Sequence, residues 1–336
     1  MEKNIRDIAK EAGVSIATVS KVINGYPYVS DKTREKVKRI IRDSQFVPNS
    51  AARELVRKRS MTIGLFLTTG LKHAFFHHLF VGMEEALKDT GYDLIYLVQV
   101  SWNKDYSLVQ HCRSRNVEGL ILFGFQRHDL NLDELIQAEI PTVFIDLDLI
   151  GRRAGYITSD NDQAILTAVQ YLYGLNHRKI GFITGMLETY TGRVRFEAYK
   201  KALSECGLSY VSDHVAIGDF SKEGGYECMK RLLAADERPT AVLCSSDTSA
   251  IGAIEAVREA GLRVPEDISV FGFDDIELAA HYQPRLTTIR QDAFELGKQA
   301  IEMLVELVQN PDCPPPSTKI GTKLIVRDSC AECSTS

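Results

Sequence analysis

The chain has no run of the ~20 consecutive apolar residues that a membrane-spanning helix needs. No apolar core follows its start at Met1-Glu2-Lys3-Asn4 in the manner of a secretory signal. The expectation is a soluble, cytoplasmic protein that touches no membrane. There is one Trp, and no repeat or low-complexity segment apart from a stiff turn at Pro311–Pro316. The seven cysteines are odd in number, and Cys112, Cys206, Cys228 and Cys244 lie singly in apolar stretches. That pattern excludes a disulfide framework and points to reduced, buried thiols. Cys330 and Cys333 have CxxC spacing, but no second ligand pair accompanies them, so no zinc site is read there.

Signatures of common catalytic sites are also missing. There is no G-x-S-x-G elbow, no G-x-x-x-x-G-K-[ST] loop, and no G-x-G-x-x-G after the first strand. His73 and His77 have the outer spacing of HExxH, but Ala74 stands where that motif needs Glu. Asp146 and Asp274 can be imagined as an acid/base pair for sugar hydrolysis, but that role depends on their separation, and a binding role is favoured. The reading is therefore no enzyme, no metal and no cofactor.

What is present is ordinary globular composition. The chain has 336 residues, 44% hydrophobic and 25% charged, enough for two or three folding units with cores of their own. The net charge of −5 hides a split. Residues 1–60 carry 14 Lys and Arg against 7 Asp and Glu, a net +7, and the remaining 276 residues carry 26 against 38, a net −12. A basic head on an acidic body suggests that the head alone meets a polyanion.

In the head, Ile5, Ile8, Ala9 and Ala12 recur at helical spacing, Asn4 suits the N-cap and Gly13 stops the helix. Ser15 caps a second short helix, Ile16–Asn24, with Val19, Val22 and Ile23 inward and Gly25 after it. Ser30-Asp31 opens a third helix, with Val37, Ile40 and Ile41 inward and Lys32, Arg34, Lys36, Lys38, Arg39 and Arg42 outward. Two short helices, a tight Gly turn and a third helix across them make a helix-turn-helix. The plainer alternative is a small helical cap with a solvated basic face, but the spacing Ala9-x3-Gly13-x5-Val19 favours DNA binding.

IRDIAKEAGVSIATVSKVING (Ile5–Gly25) resembles the DNA-binding head of the lactose/galactose repressor family. VPNSAARELVRKRS (Val47–Ser60) resembles that family's hinge helix, and the rest of the chain, to LIVRDSC at Leu324–Cys330, follows its layout. The resemblance implies that the second helix enters the major groove of double-stranded DNA. Ile16 and Ala17 would then make apolar base contacts, and Lys21 would donate to guanine. Many members carry Arg at that last position, and Lys lacks its bidentate fork. Asn4, Ser15, Thr18, Ser20, Asn24, Ser30 and Thr33 are short polar groups suited to phosphate. In the hinge, Asn49, Ala52 and Leu55 match the minor-groove positions, with Leu55 as the wedge. A homodimer on a pseudo-palindromic operator is implied.

From Met61 onward apolar runs alternate with amphipathic stretches. Strands are expected at 62–67, 93–97, 119–123, 142–145, 179–184, 241–245 and 269–272. Helices are expected at 76–89, 108–115, 132–138, 162–173, 195–206, 222–234, 248–260 and 292–308. The alternation predicts α/β architecture: two doubly wound parallel-sheet subdomains behind an all-α head. The resemblance implies a periplasmic-binding-protein-like body, with chain crossings near Asp160-Asn161, Thr288–Arg290 and Ile320-Gly321. The expected division is head 1–47, hinge 48–60, one subdomain of 61–160 plus 290–320, and another of 161–289 plus 321–336.

Ligands of open parallel sheets sit outside the carboxyl ends of the strands. The polar and aromatic residues found there are His73, Phe75, Phe76, Asp146, Arg195, Phe220, Ser246, Asp274 and Gln291. Rings that stack on a sugar face and carboxylates that accept its hydroxyls make a suitable set for a small sugar or sugar derivative. The resemblance implies that these positions, His73 apart, line the effector cleft. Members often have Asn where Ser246 stands, an amide of longer reach. Asp247 is expected to cap the following helix. The function implied is a DNA-binding transcriptional regulator controlled by that effector. A regulator with a protein corepressor, or a transport solute-binding protein, stands as the alternative.

Overall fold

The computed structural model describes residues 3–46, 59–68, 75–98, 106–124 and 130–333. The chain folds as two units, residues 1–61 and 62–336. The expected hinge contacts Asn49, Ala52 and Leu55, and the expected cleft residue His73, lie outside the described residues.

The first unit holds α1 (Ile5–Ala12), α2 (Ile16–Ile23) and α3 (Asp31–Asp43). Asn4 and Asp7 form a reciprocal capping box on α1, and Gly13 ends it at φ +66°. Ser15 and Ser30 accept from the Thr18 and Thr33 amides to start α2 and α3. Seven buried side chains make the core: Ile8, Ala9, Ala12, Val19, Val22, Val37 and Ile40. Arg34 departs from the expected basic face, because its Nη2 donates to the Tyr26 carbonyl at 2.9 Å and pins the loop before α3.

Among the described residues, the second unit contains two six-stranded sheets. The strands are β1 (Thr62–Leu67), β2 (Asp93–Leu97), β3 (Gly119–Phe123), β4 (Thr142–Ile145), β5 (Ala154–Ser159), β6 (Ile180–Thr184), β7 (Val215–Ile217), β8 (Ala241–Cys244), β9 (Ser269–Asp274), β10 (Thr287–Gln291), β11 (Ser317–Ile320) and β12 (Thr322–Ile325). The first sheet runs β2-β1-β3-β4-β5-β11, parallel throughout. The second runs β7-β6-β8-β9-β10-β12, with β12 alone antiparallel. The central strands are apolar runs buried along their length, as parallel sheets covered on both faces require.

The chain passes from the first sheet to the second after β5, back after β10, and over again between β11 and β12. Arg290 and Gln291 belong to β10 and so to the second sheet. The return therefore falls just beyond the division expected at 289/290, because the strand pairs with β9 through Arg290 and with β12 through Gln291.

The helices are α4 (Phe75–Leu87), α5 (Leu108–Ser114), α6 (Leu130–Gln137), α7 (Asn161–Gly174), α8 (Tyr190–Glu205), α9 (Lys222–Leu233), α10 (Asp247–Glu259), α11 (Glu277–His281) and α12 (Ala293–Gln309). Two helix pairs touch backbone to backbone. A Cβ on Gly82 of α4 would meet the Phe294 carbonyl, and one on Gly297 of α12 would meet that of Leu79. Gly225 of α9 and Gly252 of α10 bear the same relation to Ser249 and Lys222. The first pair joins a helix from before the first crossing to one from after the second, so the returning chain is built into the first subdomain's wall. No described helix is long and apolar enough to cross a membrane.

Candidate functional site

On the head, α2 turns Val19 and Val22 inward and leaves Ile16, Ala17 and Lys21 exposed on one face. Ile16 keeps 45% of its surface in water, an uncompensated apolar side chain on a polar face. The oxygens of Asn4, Ser15 and Ser30 are occupied as helix caps, and Asn24 Nδ2 donates to the Ser20 carbonyl at 2.9 Å. These groups serve the fold first. Their remaining hydrogen-bonding capacity faces outward at Asn4, Ser15 and Ser30, which are exposed. Tyr28, 88% exposed in the loop before α3, was not singled out by sequence, since a lone tyrosine between turn residues carries no periodic signal.

In the second unit, a cavity of about 410 Å³ opens between the carboxyl ends of the two sheets. Phe75, Phe76, Asp146, Arg195, Phe220, Asp274 and Gln291 all line it. The first sheet and its helix contribute the apolar wall. Phe76 meets Phe123 edge-on at 5.0 Å between centroids, and Phe75 lies 6.2 Å from the same ring. Phe220, from the second subdomain, stands on Gly185.

Arg195 forms the polar floor. It is 3% exposed and stacked 3.7 Å over the Phe273 ring. Its Nε donates to Asn161 Oδ1 at 2.7 Å, Nη1 to the Ser245 carbonyl at 2.7 Å, and Nη2 to Gln291 Oε1 at 3.4 Å. Gln291 Nε2 donates in turn to Asp274 Oδ1 at 2.6 Å, and Thr158 Oγ1 donates to Asp146 Oδ1 at 2.6 Å. Burial lowers the Arg195 pKa from its ordinary value, opposed by Asp274 and Asp146. Burial raises that of Asp146, opposed by Thr158 and Arg195.

Three of the residues lining the cavity hold unusual backbone: Asp146 at φ +57°, Phe220 at +67° and Asp274 at +119°. For non-glycine residues this is strained, and strain concentrates where side chains must be aimed. All three sit just after or at the end of a strand.

Ser246 does not line the cavity. It is 1% exposed, with Oγ accepting from the Ser249 amide and donating to the Phe220 carbonyl at 3.0 Å. It is the N-cap of α10, the role expected of Asp247. Asp247 instead sits wholly buried beneath the floor. Its carboxylate accepts from Thr288 Oγ1 at 2.6 Å and from the Ile276 amide at 2.9 Å.

The residues that sequence reading missed are Phe123, Tyr190, Asp219, Lys222 and Glu223, among others. Phe123 ends an apolar strand and looked like core. Tyr190 lay in a segment read as loop, although Thr189 caps α8 there through the Gly192 amide. Among the described residues no cluster of His, Cys, Asp and Glu is arranged for a metal.

Comparison with known proteins adds to this geometry. Residues 4–49 match the model of the bacterial regulatory proteins of the lacI family, and residues 169–330 match that of the periplasmic binding protein-like domain. The ribose operon repressor of Haemophilus influenzae is 38% identical over 312 residues, 92% of each chain. The chain belongs to the lacI family of bacterial regulators. The HTH-type transcriptional repressor PurR of Mannheimia succiniciproducens is 33% identical over 97% of this chain and 98% of that one. The lac repressor dimer, solved with operator and the anti-inducer ONPF, superposes with a TM-score of 0.86 at 28% identity, covering 98% of this chain and all of the other. The regulator is therefore a DNA-binding head followed by two α/β subdomains, a transcription factor in its family and in its fold.

Two substitutions probe the local chemistry of this regulator. An alanine Cβ at Gly185 would lie inside the Phe220 ring. Gly185→Ala is expected to displace that ring and weaken ligand binding at least tenfold, with ligand-free operator affinity unchanged. Titration calorimetry alongside DNA anisotropy checks both.

Asp247 tests the buried carboxyl. Burial and the neighbouring Asp274 charge push its pKa well above the usual carboxylate range. The folded protein thus favours the protonated form, so the stability this group contributes is present at low pH and is lost as pH rises through the raised value. An amide oxygen can still accept from the Ile276 amide while its Nδ2 donates to Thr288 Oγ1, both without a charge. Asp247→Asn is expected to melt with the parent near pH ~4 and progressively above it as pH rises. A melting series across pH shows the divergence.

Proposed function

We propose that the chain is a cytoplasmic, homodimeric transcriptional repressor, and no enzyme, whose hold on a pseudo-palindromic operator is set by a small sugar-like molecule in the cleft. The observation that carries this reading is the guanidinium of Arg195. It sits in the cleft floor and is bonded to Asn161 at the first crossing and to Gln291 at the second. The third crossing is tied in by the Asp160 amide, which donates to the Ile320 carbonyl at 2.8 Å. A molecule bound against this floor acts directly on the strands about which the subdomains turn.

On this reading Ile16, Ala17 and Lys21 meet base edges. Asn4, Ser15, Thr18, Ser20, Asn24, Ser30 and Thr33 meet or order the phosphate contacts. Asn49, Ala52 and Leu55 act in the minor groove. Residues 1–47 form the head, 48–60 the hinge, 61–160 with the segment from α12 through β11 the first subdomain, and the rest the second. Phe75, Phe76 and Phe220 face the apolar side of the ligand, and Asp146, Asp274, Gln291 and Arg195 face its hydroxyls. Ligand stabilises one angle between the subdomains and so shifts a pre-existing equilibrium. The coupling is reciprocal, so operator changes ligand affinity by the same factor. The relative named for the ribose operon supports a sugar-responsive role.

The test is fluorescence anisotropy of a duplex from the chain's own promoter region across a salt series, with a panel of sugars. Tight binding with a steep salt slope, released by one sugar, supports the reading. Sequence-indifferent binding that no compound alters contradicts it.

A further inference from the structure

We infer that Asp275, held between Arg290 and Arg327, is a clamp that aims the neighbouring Asp274 into the cleft. The three are positioning residues, and none of them is among the residues lining the cavity. This rests on the proposed ligand-facing role of Asp274 and deepens it.

The backbone sets the problem. Asp274 ends β9 at φ +119°, and Asp275 follows at φ +58°. Aspartate tolerates the second value better than most residues, but the first lies beyond the left-handed helical well. Two such residues in succession persist only where their surroundings over-determine the conformation. Each residue of the turn is tied elsewhere. Gln291 Nε2 donates to Asp274 Oδ1 at 2.6 Å, and the Ile276 amide donates to Asp247 Oδ2 at 2.9 Å. Between them the Asp275 side chain, 5% exposed, meets a guanidinium at each oxygen. Arg290 Nε donates to Oδ2 at 2.6 Å, and Arg327 Nη2 lies 2.6 Å from Oδ1.

Strand register delivers the clamp. Arg290 stands beside Asp274 across the β9–β10 pair. Consecutive residues of a strand face opposite ways. Arg290 therefore leaves on the exposed side and takes Asp275, while Gln291 turns to the buried side and takes Asp274. Arg327 arrives from beyond β12 already fixed. Its amide donates to Thr287 Oγ1 at 2.9 Å and its Nη1 to the Leu286 carbonyl at 2.8 Å. The Asp275 carboxylate is thus held between the strand that ends at the second crossing and the segment that follows the third. Glycine would accept both φ values without strain, yet would tie the turn to neither crossing. Charge-assisted bonds from both segments do so and fix where Asp274 points.

The experiment is a double-mutant cycle on the full chain, read by titration calorimetry with ribose, glucose and galactose, together with ligand-free crystal structures. Asp275→Ala is expected to release the turn, so that Asp274 returns to negative φ and loses its bond to Gln291. Whichever of these sugars binds the parent is expected to bind Asp275→Ala about tenfold or more weakly, the effect of losing a hydrogen bond to a charged group. In the Asp274→Ala background the same substitution is expected to change affinity by less than about twofold, because a residue that acts through Asp274 has nothing left to aim. Equal losses in both backgrounds would make Asp275 merely structural and overturn the proposal. Arg290→Met, at a half-exposed position, removes one arm and serves where Asp275→Ala does not fold. It is expected to give a smaller loss with the same dependence on Asp274, and equal losses in both backgrounds again overturn the proposal. A turn that keeps Asp274 at φ +119° in crystals of Asp275→Ala overturns it as well. Silence of the parent toward all three sugars counts against the sugar-responsive reading alone, and the crystal structures then decide the clamp.

Discussion

Arg195→Met is expected to destabilise the body by ~3–5 kcal/mol, the usual cost of removing one partner from a buried charge pair. For a unit of this size that lowers its melting temperature by on the order of 10 °C. The reason lies in what the guanidinium holds. Its three donors satisfy Asn161, the Ser245 carbonyl and Gln291, and its charge faces Asp274 and Asp146. Methionine fills much of the volume over Phe273 but satisfies none of those acceptors. Two carboxylates then share a buried site without a compensating cation, and at least one takes up a proton. The functional effect is larger than the thermal one. With Asn161 and Gln291 no longer joined, a bound molecule loses its purchase on the crossings. Operator release by ligand is expected to vanish even at temperatures where the variant is folded. Calorimetric melting measures the first effect and anisotropy with saturating ligand the second. A variant that melts low but still releases operator would confine Arg195 to a structural role.

The second large effect is on the head. Ile8→Ala removes a fully buried side chain from a core of seven, at ~2–5 kcal/mol. At ~0.05–0.15 kcal/mol per residue, a head of this size has only about 3–9 kcal/mol to lose. The free variant is expected to have a partly unfolded head, with operator affinity reduced by up to about thirtyfold, the case in which the largest loss meets the smallest stability. Saturating operator draws it back toward the folded form, because DNA binds only that form. Its second unit is expected to melt and bind ligand as the parent does, since the two units have separate cores. Loss of ligand binding in this variant would show that the units depend on one another for folding.

The head was legible because each of its features is local. The Asn4 box, the Gly13 turn, the Ser15 and Ser30 caps and the inward Val19 and Val22 all follow from residues within a turn or two of each other. The central strands were legible as unbroken apolar runs, and Thr62–Leu67, Gly119–Phe123 and Thr142–Ile145 fall where that pattern puts them. Strands β5, β7, β10, β11 and β12 were not singled out. They are short or mixed in polarity, and β11 and β12 pair with strands far away in sequence, where local pattern has nothing to report. Helix α8 begins at Tyr190, five residues before the expected start. Its first turn, Tyr190-Thr191-Gly192, has weak helix propensity, and Gly192 is there because the chain passes against the Met186 carbonyl.

The cleft was partly legible for a topological reason. Parallel strands all point their carboxyl ends at the same opening, so the residues after them converge, as Asp146, Phe220, Asp274 and Gln291 do. Ser246 follows a strand as well and departs, because a Ser before a helix gains more as an N-cap than as a cleft group. The choice between those roles depends on rotamers, and sequence does not carry it. The depth of Arg195 and the burial of Asp247 depend likewise on segments more than thirty residues apart.

The central claim is that a molecule on the Asp274–Gln291–Arg195 floor controls the grip of the head on DNA. Its most direct test is one anisotropy titration of labelled operator, run with and without the tightest-binding sugar, on the parent chain and on Asp274→Ala. The account predicts that the sugar shifts half-saturation at least tenfold for the parent and less than twofold for the variant, with ligand-free affinities equal within a factor of two. An equal shift in both proteins would contradict it, and would place control of the operator outside this cleft.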